Sequence, residues 1–111
     1  MNLIGKLLEV FKLRVTYRNK KIEAICNNAS KAEKYYGINV ACKIQIRIDQ
    51  IASASTVDEL LRFRIGRCHA LLGNRKNQYA MDLVQPLRLI FIVDKTGQIQ
   101  IAEIIEIVDY H

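Results

Sequence analysis

Cysteine is scarce here and poorly placed for a structural staple. Cys26, Cys42 and Cys68 form an odd set with no CxxC spacing. That excludes a disulfide framework and a zinc site built on paired thiols, and it suits a reducing cytosol. The motifs of several large enzyme classes are missing as well: there is no P-loop, GxGxxG, HExxH or GxSxG. Glu103 and Glu106 differ by three in a strand-like stretch and so face opposite ways, which is poor geometry for a glycosidase or metal pair. No long uncharged apolar run occurs. The first fifteen residues are apolar but carry Lys6, Glu9 and Lys12, too charged and too short for a bilayer span, and no small-residue cleavage site follows. The expectation is a cytoplasmic chain that makes no membrane contact. No internal repeat, linker or low-complexity stretch divides it.

What is present fits one modest core. The chain has 111 residues, half of them hydrophobic and a quarter charged, so a single domain over 1–111 is expected. Leu3, Ile4, Leu7, Leu8 and Phe11 share a helical face and suggest an extra amphipathic helix over 1–12, packed on the domain or on a partner. Residues 13–17 read as a short strand. Asn19 can cap a helix whose apolar positions, Ile22, Ile25, Cys26, Ala29 and Tyr36, end at Gly37. Asn39 can cap a second, striped by Ala41, Ile44, Ile48, Ile51 and Ala52, so the two should form a hairpin. Thr56-Val-Asp-Glu59 is a capping box opening a brief helix at Val57 to Arg62.

Thereafter the apolar period becomes two. Residues 64–72 read as a strand, 73–78 as a turn, and Tyr79 to Val84 as its partner, with Tyr79, Met81 and Leu83 on one face. Pro86 marks a break that a strand interior would not tolerate. Leu87 to Val93 and Ile99 to Val108 follow as strands, with Glu103 out of phase, a sign of a bulge or an edge. Helices first and a meander second give an α+β class: a helical hairpin packed on a twisted antiparallel sheet.

The charge is uneven. The chain carries a formal +6, which favours a polyanionic partner, nucleic acid first. Arg62, Arg64, Arg67, Arg75, Lys76 and Arg88 face a single acid, Asp82, in the stretch 62–88. A solvated sheet face explains such a run, and so does a patch that tracks phosphates, because arginine matches their oxygens bidentately. Arg88 is the most telling, since its face otherwise carries Ile90 and Ile92; it needs an anion, either a protein carboxylate or a ligand phosphate. Cys68 and His69 are adjacent and so point to opposite strand faces, which argues against a cooperating pair. The terminal Asp109, Tyr110 and His111 offer a carboxylate, a phenol and an imidazole for proton transfer, or simply a frayed end.

Two stretches, GRCHALLGNRKNQYAMDLVQPLRLIF (66–91) and IIEIVDYH (104–111), resemble the HigB, or plasmid-maintenance killer, branch of the RelE/ParE toxins. The shared features are a histidine three residues before a leucine–glycine turn with an Arg-Lys pair, an aromatic-led strand, a P-x-R-hydrophobic strand and the DYH ending. The match runs from about Val15 to the C-terminus. It implies a ribosome-dependent, metal-independent endoribonuclease that needs no cofactor, in which the ribose 2′-OH attacks the adjacent phosphate in line. On that resemblance His69 and His111 would be acid–base or RNA-contacting groups, and Arg88 would neutralise the scissile phosphate. Asp109 and Tyr110 would orient the histidine or stack on a base. Arg67, Arg75 and Lys76 would hold RNA. The implied partners are a HigA-type antitoxin with a helix-turn-helix domain, the ribosome and its mRNA, with operator DNA met only through the antitoxin.

The sequence departs from the family at Leu72, where relatives carry a lysine, so that Lys76 or Arg67 would have to compensate. Asn74 stands where an aspartate is usual, which a turn accepts. Two other readings share the scaffold: a ParE-like gyrase poison with no nuclease activity, and a degenerate toxin that only binds its antitoxin.

Overall fold

The computed structural model describes residues 12–109. The Leu13 N–H donates to the Ala54 carbonyl at 2.7 Å. Strand β1 (Arg14–Tyr17) follows, then helices α1 (Lys20–Asn27), α2 (Ala29–Tyr36), α3 (Ile38–Ser53) and α4 (Val57–Arg62). A 3₁₀ turn at Ile65–Arg67 leads into β2 (His69–Ala70), and a second at Gly73–Arg75 into β3 (Gln78–Asp82). Strands β4 (Leu87–Asp94) and β5 (Ile101–Asp109) complete the chain as described. The proposed helix over 1–12 lies outside the described residues except for its last position.

Capping residues set the helix starts. Asn19 accepts from the Ile22 N–H at 2.9 Å and opens α1. The helix expected to run on to Gly37 instead breaks at Asn28. That residue is extended and caps α2 by accepting from the Lys31 N–H at 3.1 Å. The break turns Ala29 outward and puts Ala32 in the core. Gly37, at a φ of 86° that suits a residue without Cβ, ends α2 and directly precedes α3. Asn39 is therefore inside α3 and not its cap. The capping box forms with its return bond displaced by one residue: Thr56 Oγ1 accepts from Glu59 N–H at 3.4 Å, while the Glu59 carboxylate reaches back past Thr56 to the Ser55 N–H at 2.9 Å.

The sheet order is β1-β5-β4-β3-β2. β2 to β5 pair antiparallel, as expected, and β1 joins β5 in parallel, so the sheet is mixed. One face packs on the helices. There Leu89, Phe91, Met81 and Ile104 meet Ile44, Ile51, Val57 and Leu60, all buried, and the Tyr79 and Phe91 rings stack at 5.6 Å. Tyr79, Met81 and Leu83 share that face as the alternation predicts. A bulge sits in β5 where Ile90 pairs with Glu106 and Phe91 with Ile104. Ile105 is the extra residue, and it switches the alternation so that Ile104 and Ile107 both serve the helix-side core. The bulge thus lies two residues beyond Glu103, which ion-pairs with Arg18 at 3.2 Å.

The second face is a smaller apolar cluster of Ala80, Ile90 and Ile105, flanked by Leu71, Ile92 and Val108. The β2–β3 connection folds over it, because Arg75 reaches across two strands to ion-pair with Glu106.

Candidate functional site

The strand expected over 64–72 shrinks to His69 and Ala70, and the reason lies in the backbone. Arg64, Gly66 and Arg67 all take left-handed conformations, with φ of 49°, 59° and 56°. A glycine adopts this without cost; each arginine stores about 1 kcal/mol or more. The chain consequently coils between α4 and β2 instead of extending. Arg64 and Arg67 are thereby turned toward the sheet end where β3 finishes, β4 starts and β2 starts.

That end carries a cleft of about 340 Å³ lined by Leu61, Arg64, Arg67, Cys68, His69 and Arg88. Three guanidinium groups and one imidazole share it. Asp82, the last residue of β3, pairs directly across the sheet with Arg88. Its carboxylate is the anion that Arg88 called for: Arg88 Nε lies 3.4 Å from Asp82 Oδ1, and Arg67 Nε lies 3.3 Å from Oδ2. Asp82 is only 7% exposed, and Gln85 Nε2 also donates to its Oδ2 at 3.3 Å. The two arginines differ in access, since the Arg67 side chain is 73% exposed and that of Arg88 21%.

Behind the cleft stands Arg47 of α3. Its Nε donates to the Asp82 backbone carbonyl at 2.6 Å, and its Nη1 to Gln50 Oε1 at 2.9 Å. The Arg47 side chain packs against Gly66, where a Cβ would come within 2.7 Å of Nε. Burial pushes the Arg47 pKa down, with the Asp82 charge opposing it.

His69 has a fixed tautomer. Its Nδ1 lies 2.8 Å from the Arg67 carbonyl oxygen. A carbonyl can only accept, so Nδ1 carries a proton and Nε2 is the nitrogen that gains or loses one. Cys68 does not join this chemistry. Burial pushes its thiol up from 9.0 to about 12, which keeps it protonated at neutral pH.

The expected residues do not all converge. His69, Arg67 and Arg88 share the cleft. Asp109 ends β5 opposite Leu87, one position along from Arg88, so it reaches the same end of the sheet from the helix-side face. Tyr110 and His111 lie outside the described residues. Arg75 is committed to Glu106, with Nε also donating to Gln78 Oε1 at 2.8 Å. Lys76 lines a separate cleft of about 600 Å³ with Thr16, Arg18, Asp94 and Glu103. Leu72 is 88% exposed. Of the residues not singled out beforehand, Asp82 was signalled by being the lone acid in a basic run. Nothing in the spacing marked Arg47. Among the described residues no group of three or more His, Cys, Asp or Glu could hold a metal ion, and no helix is long and apolar enough to cross a membrane.

No family model matches the chain, and no curated protein matches it. Among solved structures it is similar to a YoeB/ParE toxin from Agrobacterium tumefaciens, with a TM-score of 0.60 over 89% of this chain and 100% of that one. Identity is 13%, so the likeness is one of fold, the helices-on-sheet arrangement described above.

Proposed function

We propose that the chain is the toxin of a toxin–antitoxin pair and an endoribonuclease that cleaves mRNA on the ribosome. The observation that carries this reading is the cleft that joins Arg64, Arg67 and Arg88 to His69. In-line attack of a ribose 2′-OH on the adjacent phosphate places extra negative charge on the phosphoryl oxygens and leaves a 2′,3′-cyclic phosphate and a 5′-hydroxyl. Guanidinium groups facing that charge stabilise it. Arg88 and Arg67 take this role, and Arg64 holds the neighbouring backbone. His69 Nε2 accepts the 2′-OH proton, its orientation set by the bond from Nδ1 to the Arg67 carbonyl. Asp109, Tyr110 and His111 complete the proton transfer and base stacking as the resemblance implies. Arg67 stands in for the charge that Leu72 does not supply. Lys76, in its separate cleft, meets RNA further along, whereas Arg75 serves the fold. The partners are a HigA-type helix-turn-helix antitoxin, the ribosome and mRNA in the cytoplasm.

One observation favours a second reading. Asp82 already neutralises part of the arginine charge, which suits a gyrase poison that binds protein and performs no phosphate chemistry. Induced expression with 5′-end mapping of transcripts separates the two. Cuts inside translated frames that vanish when initiation is blocked support the nuclease. Growth arrest with intact transcripts and trapped gyrase–DNA complexes supports the poison, and no arrest supports a toxin that only binds its antitoxin.

A further inference from the structure

We propose that Asp82 is a positioning residue that holds Arg67 and Arg88 together as a two-arginine phosphate clamp, with Arg47 fixing Asp82 from behind. This rests on the nuclease reading for its kinetic consequence but not for its geometry. Two guanidinium groups from separate elements, the 64–67 coil and β4, meet one carboxylate, with Nε within 3.3 Å for Arg67 and 3.4 Å for Arg88. The Arg88 contact is one of charge, because its Nε and Asp82 Oδ1, both buried, form no hydrogen bond with each other. Nε bears one of the five N–H donors of a guanidinium; the other four are on Nη1 and Nη2, the pair suited to a phosphate. Asp82 therefore attracts each group by charge from the side of its inner nitrogen. Without the carboxylate, the like charge of the mostly buried Arg88 would no longer be offset and would drive the exposed Arg67 outward.

Asp82 is itself placed by backbone. Its carbonyl accepts from Arg47 Nε at 2.6 Å, and Arg47 occupies the space that only a glycine at 66 leaves open. α3, the 64–67 coil and the end of β3 are thus tied at one point, and the clamp inherits the rigidity of the longest helix described.

A carboxylate that merely sits near an anion site would weaken phosphate binding, and removing its charge would improve both affinity and turnover. A positioning carboxylate gives opposite signs for the two. Asp82→Asn keeps the shape and the backbone carbonyl but removes the charge. RNA is then attracted as well as before or better, while the transition state loses its aligned donors.

The test is Asp82→Asn on programmed ribosomes, with the arginine Nε–H signals of the antitoxin-free chain followed by NMR. The expected result is kcat lower by about tenfold or more, KM unchanged or lower, and partial recovery in Asp82→Glu. The Nε–H signals of Arg67 and Arg88 should move, while that of Arg47, bonded to backbone, persists. Unchanged kcat, or raised kcat with tighter binding, overturns the proposal, as do unmoved Arg67 and Arg88 signals. If Asp82→Asn does not fold, the wild-type chain carries the test: inorganic phosphate must shift both Nε–H signals together, and independent or absent shifts reject the clamp. A wild-type chain that does not cleave at all refutes the nuclease reading, and the Nε–H signals still decide the clamp.

Discussion

Arg88 shares its strand face with Ile90 and Ile92 and answers that apolar setting with Asp82 across the sheet. Replacing it with alanine removes a guanidinium aimed into the cleft, so Arg88→Ala should lower cleavage by about 10²–10³. Antitoxin binding and the circular dichroism spectrum should be retained; a fully active variant would remove Arg88 from the mechanism. Gly66→Ala forces a methyl against Arg47 at a φ of 59°. The backbone alone costs about 1–2 kcal/mol, and the collision adds to it, so a lower urea midpoint is expected together with lost cleavage. The cysteines give a chemical check. Cys26 and Cys68 are buried and Cys42 is exposed, so a thiol reagent at neutral pH should label one thiol in the folded chain and all three in urea. Burial raises the Cys26 and Cys68 thiols to about 12. The folded chain then holds protons that the unfolded chain releases above pH 9, and stability is full below that pH. It should fall between about pH 9 and 12 at up to about 1.4 kcal/mol per pH unit for each thiol. A urea midpoint that stays flat from pH 8 to pH 10.5 would contradict this.

At the scale of elements, the parts legible in the sequence are those whose local chemistry agrees with their packing. The Asn19 cap, the Thr56 box and the Ile44, Ile48 and Ile51 stripe all hold, since each depends on residues within one or two turns. Asn19→Ala should accordingly cost about 1 kcal/mol in urea unfolding; no change would mean that tertiary packing alone holds α1. The 64–72 stretch was misleading. Its alternation resembles a strand, yet Arg64 and Arg67 take left-handed backbone that nothing in an arginine announces. The same coil carries the cleft, so the segment that broke the reading is the one that builds the candidate site. The Asn28 break was hidden because a capping asparagine and an ordinary helical asparagine are the same letter. The bulge at Ile105 was hinted at by the acid out of phase nearby, and its position depends on pairing with β4, which is a long-range fact.

On the scale of the whole molecule, one face of the sheet carries the helices and the other is partly covered by the loop that Arg75 ties to Glu106. The basic residues singled out in the sequence therefore do not share one cleft. Arg67 and Arg88 meet at one end, and Arg18 and Lys76 share the separate cleft with Asp94 and Glu103. His69 and Arg88 could be nominated from sequence because their residue types carry chemistry. Their joining with Arg64 and Asp82 could not, because it requires four separate elements to end at one place. The most direct measurement is the purified chain on ribosomes programmed with a defined mRNA, compared with Arg88→Ala and with an mRNA carrying a single 2′-deoxyribose at the cut site. The prediction is cleavage by wild type leaving a 5′-hydroxyl on the downstream fragment, slower by about 10²–10³ in the variant and absent at the deoxy position. Intact mRNA with wild type, or cleavage that survives the deoxy substitution, would contradict the account.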